Sequence, residues 1–303
     1  MRGGIIQIHV TRACDLACHH CSQGSNLAGK PVMMTPGQFD QACESLATYW
    51  GVVGMFGGNP TMHPQFGELC RIMRARIPFL QRGLWSNNLR GKGADARITF
   101  NPRHSNLNTH LNGEAAAEFR RDWPESAPYI KGMDKDSIHS SPWVAIKDVM
   151  PDEAERWKLI GQCDVNQHWS AMVGVFRGEL RAWFCEVAGA QSMLHENNPD
   201  WDGTGEPMPD TGHPVVLDWW KASMAAYEAQ VRLHCPACGI PMRRPGQQAI
   251  NGVREEFSQT HAFIARPKVR DRVVQFVAVE SLVRTDRPAT QYLAGVTPGY
   301  KGE

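Results

Sequence analysis

Apolar and polar positions alternate along the first half of the chain in blocks that predict short strands and helices in turn. Ile5 to Val10 is an apolar run of the length of one buried strand. Thr35 then stands where a helix N-cap belongs, with Pro36 at the first helical position. Phe39, Cys43, Leu46 and Trp50 follow at helical spacing. Gly51 to Phe56 reads as a second strand, and Phe66, Leu69, Cys70, Met73 and Ile77 form a second helical stripe starting near Pro64. Gln81 to Trp85 reads as a third strand. In Asn106 to Leu111 the polar residues Asn106, Asn108 and His110 alternate, which on a strand puts all three on one face. Strands alternating with helices up to about residue 160 predict a parallel sheet with crossover helices.

The second half has a different rhythm. Asp152 to Ile160 is a helix, and Trp169 to Phe176 and Glu179 to Cys185 are two strands joined by the turn Arg177-Gly178. The stretch 196–214, rich in Asn, Pro, Asp and Gly, reads as a long loop, and Val216 to Leu233 as a helix. Arg272 to Arg284 carries a Val-rich run that fits a strand or a buried helix, and Thr285 to Glu303 reads as a loosely held end.

Nine cysteines interrupt this pattern, and their positions carry the chemistry. Cys43 and Cys70 fall on the helical stripes and read as core. Cys14, Cys18 and Cys21 have C-x3-C-x2-C spacing directly after the first strand, which lets a short loop aim three thiolates at one point. Three thiolates hold three irons of a 4Fe–4S cubane and leave the fourth iron open to a ligand. Zinc is the alternative, with His19 or His20 as further donors, but no fourth ligand follows at zinc-finger spacing.

The cysteine motif and its place after the first strand resemble the radical S-adenosylmethionine (radical SAM) enzymes. That resemblance implies that the open iron takes the amino and carboxylate groups of SAM. It also implies reductive cleavage of SAM to a 5′-deoxyadenosyl radical, which abstracts a substrate hydrogen. The segment Gly57-Gly58-Asn59-Pro60 after the second strand resembles the family's Gly-Gly-Glu-Pro, whose backbone and acid bind the SAM amino group. Asn59 stands where the family has an acid; its amide oxygen accepts a hydrogen bond without bringing a charge. Ser86 and Asn87, at the end of the third strand, resemble the strand end that meets SAM in the family, and Asn108 is placed with them. The same residues read without the resemblance are ordinary turn formers.

Cys163, Cys185, Cys235 and Cys238 remain. A cysteine on each side of a hairpin, then a helix leading to C-x2-C, resembles the SPASM or Twitch domains that hold an auxiliary cluster behind a radical SAM core. The resemblance implies a second 4Fe–4S cluster; a structural zinc held by the same four thiolates is the alternative. Six residues between Gly178 and Cys185, where the family has four, depart from its spacing.

With 303 residues, the chain divides into a radical SAM core over 1–160, an auxiliary-metal region over 161–240 and a C-terminal extension over 241–303. The expected fold is α/β: a partial (β/α) barrel followed by a hairpin-plus-helix region. A formal charge of +1 gives no basic field for nucleic acid, and no apolar run reaches membrane-spanning length. Nine cysteines without an export signal indicate a reducing cytoplasm. The implied partners are an electron donor such as flavodoxin or ferredoxin and a peptide or small-molecule substrate. No leader-recognition domain precedes the first strand, which weighs against a peptide. The alternatives are the same core with a zinc site, and a non-catalytic iron–sulfur protein.

Overall fold

The computed structural model describes residues 4–16, 18, 21–25, 27, 32–110, 112–132, 142–163, 165, 170–196, 201, 205–242 and 257–264. The expectations for Trp169, Arg272 to Arg284 and Thr285 to Glu303 fall outside them.

Eight strands form one sheet in the order β5-β4-β3-β2-β1-β6-β7-β8. They are β1 (Ile5–Thr11), β2 (Val52–Gly57), β3 (Arg82–Ser86), β4 (Asn106–Asn108), β5 (Ile130–Lys131), β6 (Ser170–Phe176), β7 (Glu179–Trp183) and β8 (His213–Pro214). Neighbours from β5 to β6 run parallel, and β7 and β8 are antiparallel additions. The sheet is open, with β5 and β8 at its edges, so the architecture is the expected α/β partial barrel. The hairpin of the rear region continues the same sheet, because β6 pairs with β1 over Ile5 to Ile8. Its turn, Arg177-Gly178, has φ of 49° and 83°, the left-handed pair of a type I′ hairpin that matches the twist of the strands.

Four helices return the chain between the parallel strands: α1 (Pro36–Glu44), α2 (Phe66–Arg76), α3 (Gly93–Thr99) and α4 (Gly113–Asp122). α1 begins with a capping box in which Thr35 accepts from the Gln38 amide and the Gln38 side chain accepts from the Thr35 amide. The short α5 (Ile146–Val149) and α6 (Glu153–Gly161, capped by Asp152) lead to the hairpin. After it come α7 (Glu186–His195) and α8 (Glu228–His234).

Strand alternation separates two faces. Ile6, Ile8, Val10, Val53, Met55 and Leu84 join Phe39 and Cys43 of α1 and Phe66, Leu69, Cys70 and Met73 of α2 in one core. Cys43 and Cys70 are fully buried there, as their stripes require. The opposite, inner face carries Gln7, Gly54 and Gly83 in register, and beside them His9 with Phe56 and Trp85 with Asn106. Asn108 and Lys131 extend that face to the edge strand. α7 lies across it at β6: a Cβ on Gly189 would stand 2.2 Å from the Met172 Cε atom.

Three expectations change. Val216 to Leu233 is not one helix. Asp218 adopts φ 62°, Val216 and Leu217 are exposed, and α8 starts only at Glu228. The cause is tertiary: the Asp218 amide and the Trp219 indole both bind Ser45 at the end of α1, drawing the chain into a turn. The loop expected over 196–214 is shortened by β8 and preceded by the unexpected α7, whose N-cap is Cys185. His110 leaves strand alternation, since β4 ends at Asn108 and His110 turns to φ 49°.

Candidate functional site

The front loop and the Gly-Gly-Asn-Pro segment are joined by backbone hydrogen bonds. The Gly58 amide binds the Thr11 carbonyl at 2.8 Å, and the Asn59 amide binds the Ala13 carbonyl at 2.7 Å. The approach needs glycine at both positions. A Cβ on Gly57, which has φ 150°, would stand 2.2 Å from the Thr11 oxygen, and one on Gly58 would stand 2.4 Å from the Ala13 oxygen. Pro60 starts a short 3-10 turn capped by Asn59.

Of the front cysteines, Cys14 faces Cys21 closely enough for their charges to repel, and Cys18 Sγ lies 3.8 Å from the His110 ring nitrogens. Burial, before any other cause, raises the Cys14 thiol to about 12. The Leu16 amide points at the Cys14 sulfur at 3.5 Å. All three cysteines keep partial exposure, whereas the other six are buried.

Asn59 is the hub of a polar network. Its Oδ1 accepts from the Thr61 amide and lies 3.0 Å from the Thr61 hydroxyl and 2.8 Å from the Ser86 hydroxyl, both of which also reach the Asn88 carbonyl. Because a backbone N–H can only donate, this fixes the amide orientation. The Nδ2 group therefore points the other way, to Asn87 Oδ1 at 2.6 Å, Asn88 Oδ1 at 3.0 Å and Asp15 Oδ1 at 3.5 Å. Asn87 donates in turn to Asp15 at 3.2 Å and reaches Cys14 Sγ at 3.8 Å. Asn88 donates to Asp15 at 2.6 Å, and Arg90 pairs with the same carboxylate at 3.2 Å. Burial works against ionisation of Asp15, but the amides of Asn88, Asn87 and Asn59 outweigh it and hold the carboxyl below its ordinary value. Glu118 is engaged elsewhere, accepting the amides of Leu89, Arg90 and Gly91.

The structure thus brings Gly57, Gly58, Asn59, Ser86 and Asn87 to the front cysteines. Asn108 lies one strand further out, its Oδ1 accepting from the His110 amide at 3.1 Å. Sequence reasoning missed Asp15, Asn88 and Thr61. Asp15 was visible inside the C-x3-C loop, but only folding sets it against the third strand's end.

The inner face below this loop carries buried polar atoms that lack a hydrogen-bond partner: Gln7 Oε1, His9 Nε2 and Lys131 Nζ. Burial lowers the Lys131 ammonium from 10.5 to about 8. Burial also raises the Glu186 carboxyl, which Gln7 and Ser170 hydrogen-bond across the same face.

The four rear cysteines line one cavity together with Phe184 and His234. Cys163 follows the end of α6, Cys185 caps α7, and Cys235 and Cys238 form a turn at the end of α8. Burial, then the mutual proximity of these sulfurs, raises Cys185 and Cys238 well above the ordinary thiol value. The Val187 amide points at Cys185 Sγ at 3.4 Å and the Ile240 amide at Cys238 Sγ at 3.4 Å, repeating the arrangement at Cys14. Among the described residues no three His, Cys, Asp or Glu side chains close to the distances of a single-ion site.

No helix among the described residues is long and apolar enough to cross a membrane. No curated protein matches the sequence. BtrN in complex with AdoMet and 2-DOIA aligns with 84% of this chain and 95% of its own at 11% identity and TM-score 0.48. Selenomethionyl BtrN in an open conformation aligns with 61% of this chain and 71% of its own at 11% identity and TM-score 0.37. Residues 8–124, which run from Ile8 within β1 through β4 and include the front cysteines and the Gly-Gly-Asn-Pro segment, match the model of the radical SAM superfamily. Residues 8–124 of this chain are therefore similar to a radical SAM domain.

Proposed function

We propose that Cys14, Cys18 and Cys21 hold a 4Fe–4S cluster, and that Gly57, Gly58, Asn59, Pro60, Ser86, Asn87 and Asn108 form the SAM side of the site. When bound, cluster and SAM supply reductive cleavage to a 5′-deoxyadenosyl radical that abstracts a substrate hydrogen. The single observation that carries the reading is the docking of Gly58 and Asn59 onto the backbone of the cysteine loop, at 2.8 and 2.7 Å, within the matched domain. The chain's own part is positional. The two glycines let the loops touch, Asn59 holds Ser86 and Asn87 beside Cys14, and α7 covers the inner face at β6.

A second 4Fe–4S cluster belongs at Cys163, Cys185, Cys235 and Cys238. Four sulfurs around a cavity, two of them already facing backbone N–H donors, suit a cluster better than one zinc ion. Four protein ligands leave no iron open, which favours electron relay over substrate binding. Arg12, two residues before Cys14, binds the Met193 carbonyl at 2.8 Å. Met193 lies eight residues along α7 from Cys185, or about 12 Å at the helical rise. The polar inner face favours a small polar metabolite, with a peptide as the second substrate class and flavodoxin or ferredoxin as electron donor in a reducing cytoplasm.

The test is iron, sulfide and zinc content of anaerobically reconstituted protein, followed by assay of 5′-deoxyadenosine after reduction with SAM. About eight irons per chain and 5′-deoxyadenosine formation support both clusters. About four irons and one zinc place zinc at the rear. Full iron without 5′-deoxyadenosine refutes the catalytic reading.

A further inference from the structure

We infer that Asp15 binds the SAM ammonium in this enzyme, taking the role for which Asn59 is chemically unsuited. The inference rests on the reading of the front loop as a SAM site.

Asn59 cannot receive the ammonium as it stands. Its only acceptor atom faces the Thr61 amide and is flanked by the Thr61 and Ser86 hydroxyls, which share their protons between it and the Asn88 carbonyl. The group it presents toward the cysteine loop is Nδ2, a donor, and a donor facing an ammonium is repelled. Reversing the amide would aim two N–H bonds at the Thr61 amide, so the orientation is locked.

Asp15 has the missing properties. It is the one carboxylate within the three segments that converge here, 12–16, 57–61 and 86–90. Its oxygens lie one asparagine away from Cys14, since Asn87 Nδ2 touches both Asp15 Oδ1 and Cys14 Sγ. Three neutral amides from Asn59, Asn87 and Asn88 orient the carboxylate without neutralising it. Its cationic contact, Arg90, is half exposed and reaches only Oδ2. Oδ1 holds its weakest partner at 3.5 Å, the Asn59 amide, and that contact yields readily to an ammonium. The side chain itself is about a quarter exposed, so an arriving ligand meets it without unfolding the loop. Exchanging the partners of a charged group for a cation at hydrogen-bond distance gains more than a neutral pair does.

The experiment is equilibrium dialysis of the reconstituted enzyme against SAM and, separately, against 5′-methylthioadenosine, which lacks the amino-acid moiety. Asp15→Asn and Asp15→Ala are compared with the parent at equal iron content. The expected result is at least about tenfold weaker SAM binding in both variants, with 5′-methylthioadenosine binding unchanged. Adding Asn59→Glu to Asp15→Ala is expected to recover most of the loss, because it returns a carboxylate to the same side. SAM binding within about twofold of the parent overturns the inference, as does equal weakening of both ligands. Loss of the cluster in both variants also overturns it, making Asp15 a residue of loop structure. A parent enzyme with full iron that binds no SAM is a separate outcome and refutes the underlying SAM reading.

Discussion

Gly58→Ala tests whether the contact between the cysteine loop and the Gly-Gly-Asn-Pro segment is as tight as its geometry states. Gly58 has an ordinary φ, so alanine costs nothing in backbone conformation; the penalty is purely steric. The new methyl would start 2.4 Å from the Ala13 oxygen, 2.8 Å from the Ala13 carbonyl carbon and 2.9 Å from the Arg12 oxygen. All of these are backbone atoms, so no side chain can swing aside. Relief to ordinary contact requires the two segments to part by about 1 Å. The hydrogen bonds of 2.7 and 2.8 Å between them then stretch past hydrogen-bonding range. Two lost bonds and a poorly solvated carbonyl together cost about 2–4 kcal/mol, a fall in melting temperature of roughly 3–6 °C for a chain of this length. Gly161→Ala is the control, because nothing lies within 4 Å of its added Cβ; a helical glycine replaced there is expected to gain a few tenths of a kcal/mol, up to about 1. Thermal unfolding followed by circular dichroism reads the stability, and iron content after reconstitution reads the loop. A Gly58→Ala protein that melts within about 1 °C of the parent and takes up full iron refutes the argument.

Three further outcomes follow from the same structure. Replacing Cys163, Cys185, Cys235 and Cys238 together with serine is expected to remove about four irons and leave the front cluster in place; retention of all iron would show that the rear cavity holds none. Lys131→Met is expected to flatten part of the stability-versus-pH curve. The folded-state value of about 8 lies below the ordinary 10.5, so the buried ammonium is a burden below pH 8 that lifts as pH rises toward 10.5. Denaturant titrations should show the parent gaining stability on the variant across that window, and parallel curves would contradict the burial of Nζ. Thr35→Ala breaks the capping box of α1 and should cost about 1 kcal/mol by chemical denaturation, with no change in iron content.

Much of the front site was legible in the chain because its signals are local. The spacing of Cys14, Cys18 and Cys21 puts three sulfurs on one short loop, and Gly57-Gly58 marks a close backbone approach whatever the partner. The capping box at Thr35 and the stripes that bury Cys43 and Cys70 are local as well, and the structure agrees with them, except that α1 ends at Glu44 and Trp50, the last position of its stripe, is exposed. What failed was decided at long range. The segment from Val216 reads as helix until the Ser45 hydrogen bonds draw Asp218 and Trp219 into a turn. α7 begins with small residues behind an apolar strand and carries little periodic signal of its own; its place is set by Met172 and Glu186 packing on the inner face. His110 alternates with Asn106 and Asn108 in sequence, yet β4 ends before it.

The sequence by itself determined most of the strands and helices of the first half and which residues are candidates for the chemistry, since strand period, helix period and cysteine spacing all operate over a few residues. Only the tertiary structure decided which polar atoms face one another. Nothing in Cys14-Asp15-Leu16 shows that Asp15 meets Asn59, Asn87 and Asn88. Nothing in Gly-Gly-Asn-Pro shows that the Thr61 amide turns the Asn59 nitrogen toward that carboxylate. Those relations join β1, β2 and β3 across the sheet, and hydrogen-bond direction there depends on register and loop closure, which no local pattern encodes.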